Sequence, residues 1–245
     1  MTLRATLPPR RGAGLNRGPD PLCQCVPMDV GILGGTGPLG RGLGLRLAAA
    51  GASVTIGSRD ADRAAEVVDG LHERWPRRLA ISGAANELAA EREIVVAATP
   101  WDALIPTVRS LSSRLDGKVV VSVANALVKQ GREMHALVPP RGSMAGAVQA
   151  ELSGAWVAAA GHHLPASDLE DLDTTLGADV LVCSDHLEAT KATMALIASI
   201  EGLRPLDAGS LAQAAAIEAF TAVLVTVNIR HKAHSSLRLT GLEHV

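Results

Sequence analysis

Gly35, Gly37 and Gly40 stand in a G-x-G-x-x-G spacing directly after a short apolar run at residues 28–33, inside Gly31-Ile32-Leu33-Gly34-Gly35-Thr36-Gly37-Pro38-Leu39-Gly40. Strand, glycine turn and helix in that order are what a pyrophosphate cradle requires. The first glycine makes the tight turn, the second lets the backbone reach the pyrophosphate, and the third lets helix and strand pack closely, with the phosphates at the helix N-terminus. A side chain at Gly37 would stand where phosphate oxygens must sit. Sites selective for NAD carry an acidic residue at the end of the second strand, where it accepts hydrogen bonds from the ribose hydroxyls. Here the strand expected at residues 53–57 runs into Gly57-Ser58-Arg59. A small hydroxyl followed by a guanidinium suits a 2′-phosphate and leaves a free diol without its acceptor, so these residues point to NADP(H). The alternative for Arg59 is a solvated residue paired with Asp60 or Asp62.

Further chemistry is expected where later strands end. Thr99-Pro100-Trp101 follows a strand at residues 93–98 and would lie along the nicotinamide half, Pro100 keeping the preceding residue extended. A rigid connection with Trp101 as a packing anchor is the alternative. Ser122 and Asn125, on either side of Val123-Ala124, offer hydrogen bonds to a carboxamide or a second substrate, or caps for the adjacent segment. His162 and His163 follow another strand, and His231 and His234 lie near the C-terminus. Adjacent histidines in extended chain point in opposite directions, and no Asp or Glu stands among them at ligand spacing, so no metal is assigned.

The elements that must position these residues alternate between strand and helix, which predicts an α/β fold of Rossmann type, a doubly wound, mostly parallel sheet with a small C-terminal lobe. Strands are expected at residues 28–33, 53–57, 79–82, 93–98, 118–123, 155–160, 179–183 and 203–207, with residues 125–141 irregular and a last helix over 211–231. The boundaries that follow are an extension at 1–27, an NADP-binding domain at 28–184 and a C-terminal helical lobe at 185–245. With 245 residues and 47% hydrophobic content the chain can bury a full core, and since it has no Tyr and only Phe220, that core is built from Ala, Val, Leu and Ile. A net charge of −2 without a lysine-rich tract or aromatic platform argues against nucleic acid as a partner. Cys23, Cys25 and Cys183 give neither a disulfide framework nor a zinc spacing, so a cytoplasmic setting is the default.

Residues 2–27 hold four arginines and five prolines and no apolar stretch long enough for a signal-peptide core. They read as disordered, with translation starting at Met28 as the simplest account and an arginine-rich interaction arm as the alternative. The apolar stretch at 211–229 raises a membrane question. Gln213, Glu218 and Asn228 interrupt it and no aromatic belt flanks it, so a buried helix of a soluble protein is expected.

The chain resembles the F420-dependent NADP oxidoreductases, also called NADPH-dependent F420 reductases. The carrying residues are 32–40, Gly57-Ser58-Arg59, Thr99-Pro100-Trp101, His162-His163-Leu164-Pro165-Ala166 and Gly202-Leu203-Arg204-Pro205-Leu206-Asp207-Ala208-Gly209. The resemblance implies NADP and coenzyme F420 as cosubstrates and reversible hydride transfer between them. It places Thr36, Ser58 and Arg59 on the 2′-phosphate, and Gly34, Gly35, Gly37, Pro38 and Leu39 in the pyrophosphate loop. It further implies that His162 and Leu164 lie near the deazaflavin ring, His162 being a candidate for a proton exchange that solvent could also serve; Thr99, Pro100, Trp101, Ala124 and Asn125 are expected as further cofactor contacts from the strand ends. A C-terminal stretch at 233–237 would close the deazaflavin pocket, in a homodimer. Two positions depart from the family pattern: His163 stands where a small hydroxyl residue is expected, and the Ser122–Asn125 loop lacks a proline. The competing readings are a reductase of an imine, carbonyl or flavin on the same scaffold, a non-catalytic NADPH sensor, and the oxidoreductase lobe of a membrane ferric reductase.

Overall fold

The computed structural model describes residues 28–76 and 79–242, so the expectation for the N-terminal extension lies outside the described residues. In chain order the elements are β1 (Asp29–Leu33), α1 (Pro38–Ala49), β2 (Ser53–Ser58), α2 (Ala61–Arg74), β3 (Ile81–Ala85), α3 (Asn86–Ala89), β4 (Ile94–Ala97), α4 (Trp101–Ser110), α5 (Ser112–Leu115) and β5 (Val119–Ser122). There follow β6 (Leu127–Gln130), β7 (Glu133–Ala136), α6 (Met144–Glu151), β8 (Trp156–Ala159), α7 (Ala166–Leu169), β9 (Ala178–Ser184), α8 (Leu187–Ala198), β10 (Leu203–Asp207), a 3-10 turn (Leu211–Gln213) and α9 (Ala214–His231).

Eight strands form one sheet in the order β10-β9-β8-β5-β4-β1-β2-β3. All neighbours run parallel except β8 and β9, so β9 and β10 point against the rest. The order leaves β1 in opposite directions, toward β2 and toward β4, which creates the switch point where ligands bind in open α/β sheets. Central strands such as Val119-Val120-Val121 are apolar without alternation because helices cover both faces. Leu43, Leu45 and Leu47 of α1 and Leu196 and Ile197 of α8 fill one face. Leu104 and Val108 of α4, Met144 and Val148 of α6 and Ile217 of α9 fill the other.

Three expectations are corrected. Residues 127–136, expected irregular, form the antiparallel hairpin β6–β7, which packs against α9. Its strands are four residues each and none of their residues is buried, so they carry no apolar alternation to read. The residues after 184 do not make a wholly helical lobe, since β10 continues the main sheet beside β9 and α8 and α9 each pack into one of its two cores. Helix α9 is not the buried helix expected. Across residues 211–231 only 28% of an 18-residue apolar window is buried, and Phe220, Val223 and Val227 are exposed on one stripe. Apolar residues all round a helix report a need for cover without saying which molecule supplies it.

Candidate functional site

Where β1 ends, the chain turns through Gly34, whose φ of +64° is a left-handed conformation that glycine adopts at no steric cost. Gly35 then donates its amide to the Gly57 carbonyl at 2.8 Å, tying the loop to the end of β2. Gly40 is forced by packing, because a Cβ there would lie 2.6 Å from the Gly35 Cα. Gly37 is different: a Cβ would meet nothing nearer than the Gly34 carbonyl oxygen at 3.7 Å. Its bareness therefore serves the space above it. Gly37 is also the N-cap of α1, provides no side-chain cap, and is followed by Pro38 at the first helical position. First-turn amides without a cap form an anion-binding end, as phosphates require.

A cleft of about 600 Å³ opens over this helix end, lined by Gly34, Thr36, Gly37, Pro38, Ser58, Arg59, Thr99 and Pro100 among the expected residues. Gly35 is buried beneath it and Leu39 packs against the core, so these two shape the loop without lining the cleft. Sequence reasoning missed Arg41, Arg63, Asn86, Asp102, Ala103 and Thr107, which also line it. Arg41 is held by Glu170 at 2.8 Å. Arg59 and Arg63 make no ion pair among the described residues, and Asp60, once an alternative partner for Arg59, instead caps α2 by accepting the amides of Asp62 and Arg63 at 3.0 and 3.2 Å. Two exposed arginines, one before and one within the first turn of α2, thus line the same cleft as the buried Ser58, whose hydroxyl accepts the Asp60 amide at 3.2 Å. The spacing of Arg63, four residues after Arg59 on a helix start, was the signal available for it.

At the carboxyl ends of β4 and β5 the Thr99 Oγ1, Ser122 Oγ and Asn125 Oδ1 atoms are buried without a hydrogen-bond partner. Buried polar atoms are normally paired; of these three residues Thr99 lines the larger cleft, whereas Ser122, with no exposed surface, and Asn125 line neither. Asn125 donates its Nδ2 to the His162 carbonyl at 2.9 Å, and Ala124 is buried beside it. Trp101 starts α4 and faces a second, apolar cleft of about 340 Å³, with Ile105, Ala126, Leu137, Pro139 and Met144. Asp102 borders both clefts.

His162 and Leu164, which the resemblance places near a ligand ring, are both buried in the structure. Leu164 belongs to the core, and the His162 side chain has no exposed surface. Neither His162 ring nitrogen has a hydrogen-bond partner, and burial pushes its pKa down to about 3. Nε2 lies 3.9 Å from Glu218 Oε1, itself buried on α9. The imidazole lines neither cleft. His163 points the other way, its Nε2 meeting the Asp179 carbonyl at 2.7 Å. The stretch at 233–237 does not roof a cleft either. It runs along β9, where Asp179 donates its amide to the Leu237 carbonyl at 2.8 Å.

Residues 29–126 match the family model for NADP oxidoreductase, coenzyme F420-dependent. A Methanocaldococcus jannaschii protein named F420-dependent NADP reductase is 36% identical over 223 residues, covering 88% of this chain and 100% of that protein. The chain belongs to the F420-dependent NADP reductase family. A family member of the same name from Methanothermobacter marburgensis is 35% identical, over 88% of this chain and 99% of its own. Among solved structures, a provisionally assigned F420-dependent NADP reductase from Arthrobacter sp. FB24 matches with a TM-score of 0.68 and 26% identity, over 83% of this chain and 92% of that one. The family thus covers both the glycine loop and the elements after β8, where the sheet reverses direction.

Proposed function

We propose that this chain transfers a hydride reversibly between NADP(H) and coenzyme F420, with NADP in the larger cleft. The observation that carries the reading is the pair of unpaired guanidiniums, Arg59 and Arg63, beside Ser58 at the end of β2, in a chain that matches F420-dependent NADP reductases over nearly their whole length. The bound cosubstrates supply the redox chemistry, a hydride passing between nicotinamide C4 and deazaflavin C5 with a proton exchanged at the deazaflavin. The protein's task is to hold two planar rings in contact and exclude water, which needs no side-chain nucleophile.

Thr36, Ser58, Arg59 and Arg63 hold the 2′-phosphate; Gly34, Gly37, Pro38 and the first turn of α1 hold the pyrophosphate. Thr99, at the cleft wall, meets the carboxamide edge, with Asn125 behind it on the next strand end. The acceptor ring enters from the apolar cleft walled by Trp101 and Met144, so the proton comes from solvent and His162 serves as a buried support. Purified protein mixed with NADPH and F420 should bleach both absorbances together. An NADPH turnover seen only with an imine, carbonyl or flavin, or NADPH binding with no turnover, would replace this reading. Trp101→Ala should raise the KM for F420 while leaving NADPH affinity near that of the wild type.

The same reading places the enzyme in the cytoplasm as a homodimer, with the Phe220, Val223 and Val227 stripe of α9 covered by a second copy. Light scattering of Val223→Lys checks the assembly: a monomer is expected, and a wild-type protein that is itself monomeric would overturn it.

A further inference from the structure

Glu218 is a charge in the middle of the most apolar helix of the chain, and it is 5% exposed. Its carboxylate does not face solvent or an arginine. It accepts the backbone amides of Met144 at 2.7 Å and Ala145 at 3.1 Å, both in the first turn of α6. Ser143 caps the same turn from the chain side by accepting the Gly146 amide at 2.9 Å. Between them the two side chains satisfy the first three orphan amides of α6, two of these through a residue of another helix. The carboxylate also lies 3.9 Å from the orphaned His162 Nε2, just past the end of β8. Three elements therefore meet at one buried group: α9, the start of α6 and the end of β8. Met144, whose amide is held, is also a wall of the apolar cleft.

We propose that Glu218 is a positioning residue of the acceptor side, fixing through the first turn of α6 where the Met144 wall stands and supporting the β8 end through His162. This rests on the reading of the apolar cleft as the entry for the F420 ring. The carboxylate touches neither cleft. It acts on Met144 and His162, which links α9 and whatever covers its apolar stripe to the acceptor side. The nucleotide cleft has no such link, because none of its lining residues contacts Glu218 by a hydrogen bond or ion pair among the described residues.

The test compares wild type, Glu218→Gln and Glu218→Ala in the full-length protein. Gln keeps the shape and one acceptor oxygen, whereas Ala removes both contacts. Amide hydrogen exchange should accelerate at Met144 and Ala145, strongly in Ala and partly in Gln, and the His162 ring resonances should move in both. The KM for F420 should rise about tenfold in Ala and less in Gln, with kcat changing less and the NADPH dissociation constant staying within about twofold. A role confined to stability would lower the unfolding midpoint and leave the KM of the folded enzyme unchanged. Unaltered exchange at Met144 and Ala145, an unchanged KM for F420 in Gln, or an equal loss of both cosubstrates overturns the proposal. If wild type does not reduce F420 at all, the functional reading fails first. The exchange and His162 signals then still decide whether Glu218 holds α6 and β8.

Discussion

Asn86 Oδ1 accepts the backbone amide of Gly34 at 3.0 Å, so the residue that follows β3 pins the loop that follows β1. The two lie 52 positions apart in the chain. The same oxygen explains the smallness of position 57, where a Cβ would come within 2.7 Å of it. Asn86→Ala should cost about 1–3 kcal/mol by leaving the Gly34 amide unpaired, and should weaken NADPH because the turn loses its anchor. Urea unfolding with and without NADPH measures both. Unchanged stability would mean that water replaces the side chain.

The proposed function makes Arg59 and Arg63 the residues that select the cofactor. Arg59→Ala should cost about 1.5–3 kcal/mol of NADPH binding, the magnitude of a hydrogen bond to a charged group, and should barely alter NADH. Arg63→Ala should act in the same direction. Equal weakening of both nucleotides by Arg59→Ala would assign the guanidinium to the fold instead.

Two alanine substitutions separate a ligand-facing glycine from a packing glycine. At Gly37 the nearest atom to a new Cβ is 3.7 Å away, so Gly37→Ala should unfold like wild type yet lose about 1.5–3 kcal/mol of NADPH binding. At Gly40 the clash with Gly35 at 2.6 Å should cost about 1–3 kcal/mol of stability. Calorimetric titration and thermal melts on both proteins give the answer. A Gly37→Ala protein with wild-type affinity would move the pyrophosphate elsewhere.

Acid should weaken the fold through His162. Its pKa is pushed down to about 3 by burial, whereas an unfolded histidine titrates near 6.5. Between those values the unfolded chain binds the extra proton, so this group's contribution is intact above about pH 6.5 and is lost as pH falls toward 3, by up to about 1.4 kcal/mol per unit. His163 is lowered by burial as well and adds in the same sense. Denaturant unfolding of His162→Gln across about pH 7 to 5 should show a shallower decline than wild type. An identical slope would mean that the imidazole titrates normally.

The tail is tied down by a buried carboxylate. Asp179, with no exposed side-chain surface, pairs with Arg204 at 2.7 Å and accepts the Leu239 amide, while Arg204 also donates to the carbonyls of Leu239 and Leu242 at 3.0 Å. His234 adds a contact to Asp168 at 2.8 Å. Deleting residues 233–245 should lower stability, leaving NADPH binding of the folded protein within a few-fold because the glycine loop and Ser58-Arg59 lie at the other end of the sheet. An unchanged unfolding midpoint would mean that these contacts do not hold the fold together.

The amino-acid sequence by itself determined the strand, glycine turn and helix of the nucleotide loop, the small hydroxyl and guanidinium at the end of β2 and the alternating order that builds the sheet, because each is set by neighbours within a turn or two of chain. It also marked Glu218 as a charge out of place in an apolar helix, without saying what it met. Tertiary structure alone decided that partner, since the amides it accepts lie up to 74 residues away. The anchoring of Gly34 by Asn86 is equally invisible to local patterns. His162 was recognisable as a residue next to a strand end, but whether its ring faces a cleft or the interior depends on how α9 and α6 close over it. The cover of α9 is undetermined for the same reason: periodicity reports that a face is apolar, and only the packing of distant elements, or of another chain, decides what buries it.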